Sequence, residues 1–249
     1  MRYFVQFSYF GQAYHGWQNQ PNAITVQEVM EDAFSTLLRR PISLVGAGRT
    51  DAGVHARQMF AHFDVDDFVP DSMIRRLNAY LPKDIAVERI FKVPFKAHAR
   101  FDALSRTYTY WVLQQKDPFY QHSAHYVKHP LDIENMNRAA QLILKHRDFE
   151  CFSKSHTDVK TYFCEVTESQ WQWDGEKLIF TITADRFLRN MVRAIVGTLI
   201  QVGMGLWDMD RVNSILKSGD RGMAGPSVPA KGLYLAAIGY PKTIVNPHG

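Results

Sequence analysis

Two stretches, Tyr3-Phe-Val-Gln-Phe-Ser-Tyr9 and Ile24-Thr-Val-Gln-Glu-Val-Met-Glu-Asp-Ala-Phe-Ser-Thr-Leu-Leu38, set the terms for the fold. In the first, Tyr3, Val5, Phe7 and Tyr9 fall on one side and Phe4, Gln6 and Ser8 on the other, the period of two that marks a strand. In the second, Val26, Val29, Met30, Ala33, Leu37 and Leu38 line one face at helical spacing. Thr25 followed three residues later by Glu28 is a capping box, and Ile24 and Val29 stand where a hydrophobic staple would join them. A strand leading into a capped helix is therefore the opening unit.

Working outward, strands are expected at 42–46 and 57–65 around a glycine-rich run, then a helix near 72–80 and a strand near 85–92. Strand, helix, strand, strand, helix, strand is the split βαβ order, in which helices cover one face of a largely antiparallel sheet. The free face of such a sheet is where looped or single-stranded RNA commonly docks. The second half opens on a strand at 105–114. It continues with a helix at 133–146 capped by Asp132, and with a hairpin of strands 163–173 and 177–184 turned at Asp174-Gly175. A long helix over 187–203 and a strand near 233–239 complete it. No repeat, low-complexity tract or flexible linker interrupts the chain, which places a rigid junction near residue 103.

With 249 residues, of which 46% are hydrophobic and 13% aromatic, the chain can build real cores, which excludes a disordered or fibrous protein. A net charge of +4 suits a polyanionic partner without requiring one. The two cysteines, Cys151 and Cys164, are too few for a disulfide framework and imply reduced thiols and a cytoplasmic setting. The N-terminus lacks the apolar core of a signal peptide. Met191 to Leu206, the most apolar stretch, is broken by Arg193 and Gln201 and reads as a buried helix. His122, His125 and His129 lack acidic or cysteine partners at ligand spacing, and Cys151, His156 and Cys164 fit no zinc pattern, so no metal is expected.

The reactive groups cluster in Gly46-Ala-Gly-Arg-Thr-Asp-Ala-Gly-Val-His55. An aspartate among glycines is ordinarily a turn cap. A phosphate cradle is disfavoured, because the lysine and Ser/Thr of the nucleotide loop are missing. Asp51 differs from a simple cap in sitting on a tight backbone two residues from Arg49, a setting that can orient a carboxylate as nucleophile or base. Arg106, Tyr108 and Tyr110 alternate along one strand and so share a face, where arginine can meet phosphate and tyrosine can stack on a base. Alternatively, the two tyrosines are core aromatics with polar tips. Arg186, Arg189 and Arg193, at spacings of three and four, are expected on one face of the long helix. Arg193 lies among Met191, Val192, Ala194, Ile195 and Val196, so it either meets a carboxylate, with Asp51 the candidate, or snorkels to the surface.

Five ordered segments closely resemble the TruA family of tRNA pseudouridine synthases. They are Gly48-Arg-Thr-Asp-Ala-Gly-Val-His-Ala56, His98-Ala-Arg-Phe-Asp-Ala103, Arg106-Thr-Tyr-Thr-Tyr110, Phe187-Leu-Arg-Asn-Met-Val-Arg-Ala-Ile-Val-Gly197 and Ala224-Gly-Pro-Ser-Val-Pro-Ala-Lys-Gly-Leu-Tyr-Leu235. The opening Tyr9-Phe-Gly-Gln-Ala-Tyr-His-Gly-Trp-Gln18 is similar to that family's first segment as well, with Phe10 where an aspartate is more usual.

The resemblance implies an α+β fold of two split-βαβ-like domains, 1–103 and 104–249. Their sheets are expected to join into a mainly antiparallel whole with helices on one face and a central RNA-binding cleft. It implies a homodimer acting on tRNA, with no metal and no organic cofactor. Asp51 becomes the catalytic carboxylate, Tyr108 the ring that stacks on the base, and Arg193 the partner of Asp51. Arg49 helps hold the nucleotide out of its stack, and Arg106 binds substrate. The implied substrate is uridine at tRNA positions 38 to 40. Isomerising it breaks the N1–C1′ bond and joins C5 to C1′, with no change in oxidation state. Three routes stay open for the carboxylate: attack at C1′, addition at C6, or removal of a sugar proton. The alternatives are the same isomerisation at other tRNA or small RNA sites, an RNA-binding or folding module without chemistry, and a two-carboxylate hydrolase. The last lacks a second acid near Asp51.

Overall fold

The computed structural model describes residues 1–66, 70–154 and 159–245, so His156 lies outside the described residues. Two compact units emerge, Met1–Leu104 with Tyr234–Gly249 and Ser105–Leu233.

In the first unit the chain runs β1 (Arg2–Tyr9), α1 (Val26–Leu38), β2 (Val45–Gly46), β3 (His55–Asp64), α2 (Pro70–Tyr80) and β4 (Ile85–Val93). β1 lies between β3 and β4 and is antiparallel to both. Directly paired residues share a face, so Tyr3 with Phe63, Val5 with Ala61 and Phe7 with Met59 form one apolar surface. Phe34 of α1 packs on Phe63 with ring centroids 4.9 Å apart.

The capping box is half realised: the backbone N–H of Glu28 donates to Thr25 Oγ1 at 3.3 Å. Ile24 stays 60% exposed and closes no staple. On α1 the buried face is Val26, Met30, Ala33 and Phe34, while Leu37 and Leu38 are only half-buried. The strand expected over 42–46 shrinks to Val45–Gly46. Its earlier amides find helix side chains instead, Ile42 N–H on Ser35 Oγ at 2.9 Å and Leu44 N–H on Glu31 Oε1 at 2.8 Å. With those donors satisfied, no ladder is needed there.

The second unit holds β5 (Ser105–Leu113), β6 (His125–Tyr126), α3 (Ile133–Lys145), β7 (Val166–Asp174), β8 (Lys177–Ala184), α4 (Met191–Gly203) and α5 (Met209–Ser218). β8 is antiparallel to β5 and β7, and β6 pairs with the end of β5. Asp132 caps α3 by accepting from Asn135 N–H at 3.0 Å. The hairpin loop is Gly175-Glu176, one residue later than expected, because Asp174 still pairs with Lys177 and Gly175 supplies the positive φ of +59°.

Two further departures bear on the site. α4 starts at Met191, not 187, because Asn190 adopts the left-handed conformation at φ 67° and breaks the helix. Arg186 and Arg189 therefore lie before α4, and the three arginines do not share a helical face. α5 follows a cap at Asp208 that sequence reading passed over, with Asp208 Oδ1 accepting from Arg211 N–H at 2.8 Å.

β9 (Leu233–Gly239), followed by the short α6 (Lys242–Val245), runs parallel to β3 through Tyr234 beside His55 and Leu235 beside Ala56. Sequence order had grouped this strand with residues from 104 onward. Ile238 N–H donates to Gln58 Oε1 at 2.9 Å, and the Tyr240 hydroxyl donates to the Ala99 carbonyl, which anchors the tail on the first unit. Among the described residues no helix is long and apolar enough to cross a membrane.

Candidate active site

The loop from Gly46 to His55 is held by the end of β1 and the segment that follows it. Tyr9 and Thr50 share a hydroxyl hydrogen bond of 2.8 Å one residue before Asp51. Gly53 N–H donates to the Tyr14 carbonyl at 3.2 Å. Gly16, at φ +86°, lies so close beneath Thr50 that a Cβ there would sit 2.1 Å from the Thr50 carbonyl oxygen. Only glycine allows both that backbone angle and that approach. Val54 N–H returns to the Asp51 carbonyl at 3.2 Å, which closes the turn that displays the aspartate.

The exit of the loop is fixed by His55, which is 1% exposed. Its Nδ1 accepts from Gly11 N–H at 2.9 Å, so a neutral ring carries its proton on Nε2. The ring stacks on Phe10 at 4.1 Å and meets Tyr234 at 4.7 Å. Tyr14 adds a hydrogen bond to Asp84 Oδ1 at 2.6 Å, and burial with that carboxylate raises its phenol well above the ordinary value. Asp51 is thus a half-buried carboxylate on a backbone fixed at both ends, and Arg49 is exposed on the same loop. Phe10 serves as the stacking partner of His55.

In the second unit, β5 carries Arg106, Tyr108 and Tyr110 at alternate positions. They differ in burial. Tyr110 is fully buried and donates to the Pro229 carbonyl at 2.8 Å, so it is the core aromatic with a polar tip. Burial raises its phenol, and the nearby Arg193 charge opposes that. Tyr108 is half-buried and its ring meets Phe187 edge to face at 5.1 Å. Arg106 Nη1 donates to the Asp185 carbonyl at 2.8 Å.

Arg193, in the first turn of α4, is clasped by residues from beyond α5. Its Nε donates to the Val228 carbonyl at 2.8 Å, and its own carbonyl accepts from Val228 N–H at 3.2 Å. The strap at 225–229 can lie that close because Gly197 has no side chain: a Cβ there would stand 1.8 Å from the Pro226 carbonyl oxygen. Gly225 N–H donates to Thr198 Oγ1 at 2.9 Å. Ser227 Oγ receives Asn190 Nδ2 at 2.6 Å and Arg221 Nη2 at 2.8 Å.

Sequence reading singled out Asp51, Arg49, Arg106, Tyr108 and Arg193; it gave no role to Tyr9, Gly16 and His55, which hold the Asp51 loop, or to Asn190, Arg221 and Ser227, which tie the strap to the start of α4. Two signals pointed that way, the family-like segment 9–18 and the run 224–235. Cys151 and Cys164 are buried, and burial pushes each thiol up to about 12, which leaves them inert. Among the described residues no three His, Cys, Asp or Glu side chains converge as a metal site.

The first unit thus displays a carboxylate on a rigid glycine loop, and the second holds a half-buried tyrosine along a strand and an arginine at a helix start. The family model of the tRNA pseudouridine synthases matches residues 6–102 and 139–241. The chain is similar to tRNA pseudouridine synthase A of Parabacteroides distasonis, with 49% identity covering 98% of this chain and 97% of the relative. It is as similar to that of Porphyromonas gingivalis, 49% identical with 98% of each covered. The enzyme of Acetivibrio thermocellus is 39% identical over 93% of this chain and 96% of its own. The chain belongs to the tRNA pseudouridine synthase family, a family of isomerases, and has its mixed α+β, mainly antiparallel fold.

Proposed function

We propose that this protein converts uridine to pseudouridine at positions 38 to 40 of the tRNA anticodon stem and loop, as a cytoplasmic homodimer. Asp51 is the reacting carboxylate, Tyr108 stacks on the target base, and Arg193 pairs with Asp51. Arg49 and Arg106 hold the flanking RNA. The observation that carries this reading is the family match, which spans the loop bearing Asp51 and the start of α4 alike. The rigidity of the loop supports it, since a fixed carboxylate spends no free energy on reorganisation when charge develops at the sugar.

The chemistry needs no oxidant and no energy source. The N1–C1′ bond breaks, the uracil turns, C5 joins C1′, the proton displaced from C5 goes to water, and N1, which keeps the electron pair of the broken bond, takes up a proton from water. Lifting the uridine out of its stack costs about a few kcal/mol, which stacking on Tyr108 and phosphate contacts offset. Incubation with tRNA tritiated at uridine C5 tests this directly: label must pass to water. Bound tRNA that retains all its label would refute the synthase reading. Mapping pseudouridine in tRNA from cells lacking the protein tests the positions, and sedimentation with and without tRNA tests the dimer.

A further inference from the structure

We infer that Arg221 is a positioning residue for Arg193, acting through the strap at 225–229; this rests on the role given to Arg193 above. Arg221 grips the strap with both arms of its guanidinium, Nη1 on the Gly225 carbonyl at 3.1 Å and Nη2 on Ser227 Oγ at 2.8 Å. A planar fork that reaches two acceptors fixes a backbone more tightly than a single bond does. Ser227 is also the partner of Asn190, the left-handed residue that starts α4, so the same hydroxyl ties the strap to the helix origin. One residue further on, Val228 exchanges two hydrogen bonds with Arg193. The Nε bond to Val228 sets the plane of the Arg193 guanidinium and with it the direction of the two Nη groups. Where Arg221 places Ser227 therefore decides where Arg193 points.

The glycine contacts at Gly197 and Gly225 hold the other end of the strap without Arg221. Removing the fork leaves α4 packed and frees only the half of the strap that orients Arg193. Misplacing a reacting group by about 1 Å can cost on the order of 10²-fold in rate.

The test is tritium release under steady-state and single-turnover conditions for Arg221→Met, Arg193→Met and the double variant. The expected result for Arg221→Met is a fall in kcat of about 10- to 100-fold with KM for tRNA changed less than about threefold. The double variant is expected to be no slower than Arg193→Met alone, because both act through one group. Arg221→Lys should recover part of the loss, since an ammonium reaches one acceptor and not two. Should Arg221→Met fail to fold, Ser227→Ala removes the shared acceptor and must show the same kcat loss and the same non-additivity. Losses that add in the double variant would overturn the inference while the role of Arg193 stood. So would an effect confined to KM with a shallower salt dependence, which would make Arg221 an RNA contact. Full activity in Arg193→Met would overturn the assignment beneath it.

Discussion

The loop that carries Asp51 and the helix start that carries Arg193 are braced by opposite chemistry. Around Asp51 the braces are hydrogen-bond acceptors and rings, with His55 Nδ1 taking the Gly11 amide and its ring stacking on Phe10; elsewhere in the same unit His62 Nδ1 takes the Ala99 amide at 3.2 Å. Around Arg193 the braces are guanidinium donors, Arg193 on Val228, Arg221 on Gly225 and Arg211 Nη2 on the Met223 carbonyl at 3.2 Å. A neutral imidazole accepts only while it stays unprotonated, whereas a guanidinium donates at every pH a protein survives. The first unit thus includes a titratable brace at His62, whereas the braces of Arg193 are permanent. The roles proposed for the two residues differ as well, since losing a reacting group would remove the chemistry and losing its partner would only weaken it.

That separation is broken or confirmed first by Asp51→Asn. All three routes open to the carboxylate require it ionised, so tritium release should fall by on the order of 10⁴-fold while tRNA affinity holds within severalfold. Turnover near the original rate would show that another group performs the chemistry. Arg193→Met should cost less, about 10²-fold and mainly in kcat, because the carboxylate remains and loses only its partner. A loss in Arg193→Met as large as that in Asp51→Asn would erase the distinction between actor and partner.

Gly16→Ala probes the support beneath Asp51 without touching the carboxylate. The methyl group would meet the Thr50 carbonyl at 2.1 Å and hold an unfavourable φ of +86°, so the loop must shift. Strain and overpacking together should lower unfolding stability by about 2–4 kcal/mol, read from urea midpoints. The kcat of the folded fraction should fall more than its KM rises. An unchanged midpoint and kcat would mean that the loop is not clamped from below.

How much of this the sequence disclosed follows from the range of the interactions. β1, α1 with its Thr25 cap and α3 with Asp132 were legible because period and caps are local, and the tight turn at Asp51 because its glycines are close in sequence. The last strand was legible as a strand but not as the partner of β3, since alternation identifies a strand and not the residues it pairs with. The start of α4 was misplaced because helix propensity favoured 187–190, whereas the break is held by distant partners, Asn190 on Ser227 37 residues on and the Lys154 N–H on the Arg189 carbonyl. Arg221 lay in a polar stretch between α5 and the strap, where an arginine looks like ordinary surface until its two acceptors are seen.

The smallest effect tests the titratable brace of the first unit, the His62 ring that accepts the Ala99 amide. His62 is 5% exposed beneath the turn at 98–102, and burial, with the charges of Arg2 and His98 opposing its protonation, pushes it down to about 4, although Asp64 and Asp102 pull the other way. His98, which accepts the amides of Arg100 and Phe101, is lowered too, with burial the leading cause. Because the folded value of His62 lies below the unfolded one, the unfolded chain binds the proton first as pH falls. Its contribution to stability is therefore complete above about pH 6.5, shrinks as pH falls toward about 4, and changes no further below that. Between pH 7 and pH 5 the loss should be at most about 2 kcal/mol, measured as the change in urea unfolding free energy. His62→Asn, which keeps an acceptor for the Ala99 amide but cannot titrate, should remove most of that dependence. In the second unit, burial and Lys231 lower His125 in the same sense, so His125→Asn is the control. If His125→Asn flattened the pH dependence and His62→Asn left it intact, the titratable brace would belong to the unit of Arg193, and the contrast between the two supports would be reversed.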